Sequence, residues 1–255
     1  MALVLASVAA GIGTGRAARV GLDDPVKKET AMQLVAAAEN SSLDWRAQYA
    51  YIEYDVEGNA AENRGYTGGI IGFTSKTHDM LMLVERYNAT APGNELQRFT
   101  AALRKVDGTS SKDGLGASFE LSWRAAARDA RFRAAQDHER DRIYFNPSVA
   151  LAKKDGLGAL GQFAYYDAAV VHGFEGMNVV RSSARRRAPA PAHGGEERVY
   201  LSVFLEVRIA EMRREVAHDD VSRITGAQRL FLATGNLELE RPLRFTIYGD
   251  DYVIR

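Results

Sequence analysis

Residues 38–73 read AENSSLDWRAQYAYIEYDVEGNAAENRGYTGGIIGF. The stretch begins where a helix ends in a carboxylate, Glu39. It passes through a loop dense in acids and closes on a glycine-rich turn that carries Thr67. Upstream, Asp24 followed by Pro25 is an N-cap and a first-turn proline, which predicts a helix to about Glu39. On that helix Met32, Val35, Ala36 and Glu39 share one stripe, because residues three, four and seven apart recur on one face. A carboxylate on an apolar face is partly desolvated, and burial favours its protonated form. Such a group can donate a proton near neutral pH. The plainer alternative puts Glu39 just past the helix end, in water.

Outward from this segment the chain is mainly α with a small β element. The expected helices are Leu43–Ile52, Asp79–Tyr87 and Glu95–Val106, then a long arginine-rich helix capped by Ser122 and running to about Tyr144. Others start at Pro147, continue over Leu157–His172, and cover Tyr200–Ala217 and Thr225–Thr234, the last ended by Gly235. Arg64–Phe73 has the glycines and β-formers of a short hairpin. Residues 58–63 and 109–118 read as loops, 174–195 as irregular chain, and the tail from Leu237 as extended. Trp45 and Trp123, the two tryptophans, stand at helix starts and read as core anchors rather than sugar platforms.

A chain of 255 residues, 46% hydrophobic and 26% charged, can bury a full core as one large domain or two lobes. Its formal net charge of +0 provides no global field for nucleic acid or for a polycation, so any charge selectivity is local. The absence of cysteine excludes a disulfide framework, a thiolate nucleophile and a cysteine zinc site. The five histidines are scattered without an HExxH pattern, and RGYTGGIIG lacks the strand and helix flanks of a phosphate loop. Neither a metal nor another cofactor is implied. Arg185–Arg187 reads as a solvated loop, so no nucleic-acid partner is expected. Met1–Val20 is small and apolar like a secretory leader, yet no Lys or Arg precedes Arg16. It is expected to be signal-derived or a disordered leader, with residues 21–255 forming the domain. No segment has the length of a membrane span.

A second constellation follows from helix faces. Asp167 lies four residues after Phe163 and three before Val170, on an apolar face. Arg208 shares the stripe of Leu201, Leu205 and Met212. A buried acid and a buried arginine are each prohibitive alone, so the two are expected to meet. A purely structural ion pair would satisfy the same pattern.

The order of LDDPVKKE (22–29), AENSSLDW (38–45), RGYTGGIIGF (64–73), ERDRIYFNP (139–147), GALGQFAYYDAAVVHG (158–173), HDDVSR (218–223) and YGDDYVI (248–254) resembles the family-46 chitosanases. The likeness runs from about Gly21 to Arg255. It implies a two-lobed lysozyme-like fold with a substrate cleft between the lobes. The implied activity is a secreted, monomeric endo-chitosanase, cofactor-free, cutting β-1,4 linkages of chitosan and chito-oligosaccharides by inversion. Inversion needs two carboxyl groups roughly 6.5–9.5 Å apart, one to protonate the leaving oxygen and one to activate water. By resemblance Glu39 is the acid, and Thr67 helps orient the water.

The base is open between two residues. The family carries Asp two residues before the RGYTGG turn; here that place is Glu62, and the loop is longer around residues 59–63. Counted forward from Glu39 the spacing lands on Glu57, and counted back from the turn it lands on Glu62. Glu62 is favoured, because the base shares its water with Thr67. The resemblance adds Arg223 to Asp167 and Arg208 as a network behind the acid. It places Asp79 against a glucosamine amine, Glu215 and Asp219 along the cleft, and Asn40, Tyr51, Arg64, Tyr144 and His172 in the groove. Each of these has a plainer role: Asp79 as a helix N-cap, Tyr144 in the core, His172 at a helix end, Glu215 and Asp219 in solvent. The rivals are a hydrolase of another amino-sugar polymer and a non-catalytic chitosan-binding protein.

Overall fold

The computed structural model describes residues 20–56, 58, 63–214 and 220–255. The first helix, α1 (Pro25–Asn40), is capped as its sequence demands: Asp24 accepts from the amides of Val26 and Lys27, and Pro25 opens the first turn. It does not bury a single stripe. Residues 30–32 and 34–38 are all buried, so α1 runs through the core. A 3-10 segment (Trp45–Ala50), shorter than the helix expected over Leu43–Ile52, leads into a three-stranded antiparallel sheet. Its strands are β1 (Ile52–Tyr54), β2 (Tyr66–Gly68) and β3 (Phe73–Thr74). The pairs Glu53↔Thr67 and Thr67↔Thr74 set Thr67 in the middle strand. The turn from β2 to β3 turns on Gly69, whose φ of 77° and contact with Gln136 leave no room for a side chain. Gln136, fully buried, accepts from the amide of Ile70 and donates to the carbonyl of Tyr49, fixing the turn from behind.

Around this sheet lie α2 (Asp79–Thr90), α3 (Thr100–Val106), α4 (Gly116–Ala126) and α5 (Ala130–Arg140). One lobe forms where they pack. Its centre is an aromatic chain from Tyr54 through Tyr66, Phe119, Trp123 and Phe132 to Tyr87, with successive rings 4.9–6.1 Å apart. α5 passes through a π-helical turn (Asp141–Phe145) into α6 (Asn146–Lys154) without interruption. The second lobe gathers α1, α6, α7 (Ala159–Arg187), α8 (Glu197–Met212) and α9 (Arg229–Ala233), with a C-terminal hairpin of β4 (Leu243–Ile247) and β5 (Asp250–Ile254). The fold is mainly helical and two-lobed, as expected.

Several local expectations are corrected. Ser122 caps nothing; it is buried within α4, and Asp129 caps the next helix by accepting from the Arg131 amide. Residues 174–187 are helical rather than irregular: α7 is two helices that meet at a kink at Gly173 (φ 70°). The arginines 185–187 are therefore a helix end, with Arg187 paired to Glu206 at 2.9 Å, and not a loop. α8 stops at Met212, short of Ala217. The helix expected from Thr225 begins instead as a π turn, Arg223–Gln228. Both tryptophans are buried, Trp123 completely. The leader, residues 1–19, lies outside the described residues.

Trp123→Ala removes the ring that joins Phe119 to Phe132. It is expected to cost about 3–5 kcal/mol, as large-to-small core changes do. Urea unfolding followed by far-UV circular dichroism measures this; an unchanged midpoint would mean that the lobe does not depend on this ring.

Candidate active site

The C-terminal end of α1 presents Glu39 beside a chain of alternating charges. Arg223, from the π turn, meets Glu39 at 2.6 Å and Asp167 on α7 at 2.6 Å. Arg208 on α8 meets the other oxygen of Asp167 at 2.6 Å and also donates to its main-chain carbonyl. The expected meeting of Asp167 and Arg208 is observed, and Arg223 joins it. Asp167 and Arg208 are buried and Arg223 nearly so, while Glu39 keeps 29% of its side chain exposed. The expectation that Glu39 sits on a desolvated apolar stripe is corrected: it lies at the open end of a helix buried all round, held by an arginine.

Burial alone would raise the Asp167 carboxyl; Arg208 and Arg223 more than reverse this and hold it well below the usual carboxylate range. Arg223 is pushed the other way from what burial would do, by Asp167 and Glu39. Gln228 completes the site and was not foreseen. Its amide donates to Asp167 at 2.7 Å, and its oxygen accepts from Arg208 at 3.4 Å. The π turn brings Gln228 to the side of Arg223 five residues earlier. A 3.6-residue period would separate them.

A cleft of about 940 Å³ opens one helical turn further along α7. Its wall includes Arg64, Thr74, Asp79, Tyr144, His172 and Arg214. Four of the expected groove residues, Arg64, Asp79, Tyr144 and His172, are therefore brought together. Asp79 is the first residue of α2 rather than its cap, and is 3% exposed. It accepts from the Thr74 amide (2.8 Å), the Thr77 hydroxyl (2.8 Å) and the Tyr144 hydroxyl (2.7 Å). Burial pushes its carboxyl above the ordinary range, against those three donors. All three donors are neutral, and Asp79 forms no ion pair among the described residues. Burial and the neighbouring acid together raise the Tyr144 phenol. His172 ends the first half of α7, just before the Gly173 break.

Thr67 adjoins the cleft through its strand partner Thr74, and its methyl group lies 3.2 Å from where a Cβ would stand on the cleft residue Gly72. Its hydroxyl oxygen is buried and has no hydrogen-bond partner among the described residues. Asn40, half-buried at the end of α1, likewise has an unpartnered side-chain oxygen there. Tyr51 stands apart, donating to Glu53 at 3.3 Å in a separate groove with Glu120 and Arg124. Glu57, Glu62, Glu215 and Asp219 lie outside the described residues. The loop that holds the first two is framed by fixed points. The Asp55 amide donates to the Gly65 carbonyl at 3.0 Å, and buried Asn63 accepts from the Gly65 amide at 2.6 Å.

A two-lobed helical fold with an acid–arginine relay beside a polar cleft defines a glycoside hydrolase of lysozyme-like architecture. The sequence profile of glycosyl hydrolase family 46 matches residues 33–243, and the chain belongs to that family. It is 54% identical over 244 residues to a chitosanase of Streptomyces sp. (strain N174), covering 93% of this chain and 85% of the relative. It is 51% identical over 246 residues to a chitosanase of Nocardioides sp. (strain N106), covering 95% and 86%. Among solved structures, chitosanase OU01 co-crystallised with substrate superposes with a TM-score of 0.89 at 53% identity, covering 93% of this chain and all of that one.

Asp167→Asn would leave two buried arginines without their shared anion, at an expected cost of about 3–5 kcal/mol. The sign with pH follows from the depressed carboxyl. Its stabilisation is present above the unfolded value of about 3.9 and is lost as pH falls toward the folded value. Thermal midpoints measured between neutral and strongly acidic pH should converge for the parent and Asp167→Asn. Parallel curves would show that the charge of Asp167 does not hold the network.

Proposed function

We propose that this chain is a secreted, monomeric endo-chitosanase that hydrolyses β-1,4 bonds between glucosamine units with inversion. The observation that carries the substrate class is Asp79. It is a buried carboxylate on the cleft wall, bonded among the described residues only to neutral donors and pushed toward its protonated form by burial. An ammonium group is what such a carboxylate lacks, and a glucosamine C2 amine supplies one. The family membership and the chitosanase relatives point to the same polymer. A polymer of this kind is met outside the cell, which agrees with the leader-like Met1–Val20.

Glu39 protonates the leaving oxygen. Its remaining exposure lets it reach substrate, while Arg223 fixes its direction. Glu62 is the base that activates water, with Glu57 as the alternative. The choice rests on spacing to Thr67, the residue taken to share that water; its buried hydroxyl has no hydrogen-bond partner among the described residues. Arg64, Tyr144 and His172 on the cleft wall contact the sugar chain; Asn40, Tyr51, Glu215 and Asp219 are carried over as further sugar contacts from the family resemblance, and no cofactor takes part.

With fully deacetylated chitosan, viscosity should fall quickly while new reducing ends appear slowly, and Glu39→Gln should abolish both. Proton NMR of the first product should show the α-anomer. Early β-anomer would overturn inversion, and no cleavage at all would sink the chitosanase reading and leave a binding role or a different glycan. Glu62→Gln should remove at least a hundredfold of kcat, as loss of a general base does. Glu57→Gln should remove little; the reverse pattern would transfer the role. Asp79→Asn should raise KM for glucosamine oligomers far more than for N-acetylated ones. Equal effects would sink its role as an amine ligand.

A further inference from the structure

The residue that holds Glu39 is itself held from one side by the end of the chain. Ser222 and Gly226 flank Arg223, and both touch β4 or its turn. The Tyr248 amide donates to the Ser222 hydroxyl at 2.9 Å. At Gly226 a Cβ would stand 1.9 Å from the Thr246 carbonyl oxygen, so the π turn and the strand meet backbone to backbone. β4 is rigidly seated, with Leu243, Phe245 and Ile247 buried and Phe245 packed on Phe231 and Tyr252.

The other end of the same hairpin is fastened to α1. Arg241 donates to Thr30 Oγ1 at 2.9 Å and to the Val26 carbonyl at 3.2 Å. It also holds the Arg255 carbonyl at 2.9 Å, closing the base of the hairpin. A ring of contacts results: α1, Glu39, Arg223, Ser222, Tyr248, the hairpin, Arg241, and α1 again. The lengths agree. From Leu243 to Ile247 an extended strand covers about 13 Å, and from Thr30 to Glu39 a helix covers about 13.5 Å. An arginine side chain bridges each end.

The tip of the hairpin is unusual for its residue. Tyr248 and Gly249 both have positive φ, 54° and 87°, in a two-residue turn between paired Ile247 and Asp250. Asn or Gly is preferred at the first of these positions, and a bulky side chain there is strained. Strain of this kind persists where the surroundings impose it, often at functional sites. Burial raises the Tyr248 phenol, Arg223 opposes this, and Glu39 adds to it, so the tip lies within the field of the acid and its arginine.

We infer that the C-terminal hairpin is the positioning element of the reaction's acid: through Ser222 and Gly226 it fixes the Arg223 guanidinium against Glu39. The inference rests on Glu39 being the acid. Ser222, Gly226 and Tyr248 are positioning residues, because they act through Arg223 and do not donate the proton.

The test compares two substrates. One is a glucosamine oligomer, whose leaving oxygen needs a proton. The other is the β-fluoride of a glucosamine oligomer, whose leaving group departs without one. Ser222→Ala is expected to lower kcat on the oligomer by about tenfold to a hundredfold, as a small misplacement does. KM should stay within about twofold, and fluoride turnover should be spared. Ser222→Thr keeps the hydroxyl and should restore kcat. Gly226→Ala should give the same split more strongly, with folding checked by thermal midpoint. Wild-type kcat in Ser222→Ala, or equal losses on both substrates, would overturn the inference. Glu39→Gln separates the two levels. If it loses fluoride turnover as fully as oligomer turnover, the acid assignment fails and takes the hairpin's role with it. If it spares the fluoride while Ser222→Ala spares the oligomer, the acid stands and the hairpin's role falls.

Discussion

Asp167 binds two arginines in the middle of the second lobe, and much of the structure is arranged around that fact. A carboxylate this deeply buried is tolerated only because two guanidinium groups and the Gln228 amide face it. Those partners come from α8 and from the π turn before α9, so one charge fixes two separate elements to α7. Arg223 has a second hand free for Glu39. Signs alternate along Glu39, Arg223, Asp167 and Arg208, and the four charges sum to zero. The network as a whole therefore carries no net charge, while its one semi-exposed member points outward.

The cleft depends on a different kind of balance. The chain as a whole is neutral, so recognition of a cation has to be built at one spot. Asp79 does this by position. It opens α2, where the helix end favours negative charge, and its oxygens tie β3 and the Tyr144 hydroxyl together. The same carboxylate thus closes the sheet against the helix and faces the cavity. A residue with both duties has a helix-start role legible in its sequence neighbours, and a ligand role legible only when the wall around it is assembled.

The parts read correctly from sequence were those set by local chemistry. Asp24–Pro25 announced α1, the glycines of 64–73 announced the hairpin, and the stripes through Asp167 and Arg208 announced their pairing. The errors arose where tertiary packing overrides local pattern. Glu39 looked like a member of a buried stripe because Met32, Val35 and Ala36 are apolar. The opposite face of α1, with Leu34, Ala37 and Ala38, is buried as well, which no amphipathic reading anticipates. The helix read as ending at His172 does end there, but a second helix follows at once beyond Gly173, where irregular chain was expected. Gln228 was invisible because a π turn changes the period on which faces are counted. The family resemblance supplied Arg223 and the groove residues, which the helical period could not.

The helical run from α5 to α6 is continuous except for the π turn at Asp141–Phe145. Flexing of a long helix concentrates where its hydrogen-bond ladder is rearranged, and a π turn is such a place. Tyr144 sits inside this turn, and its hydroxyl holds Asp79 across the cleft. The rearranged turn that joins α5 to α6 therefore also carries the hydroxyl that holds Asp79, so the backbone irregularity and the cleft carboxylate are tied through one residue.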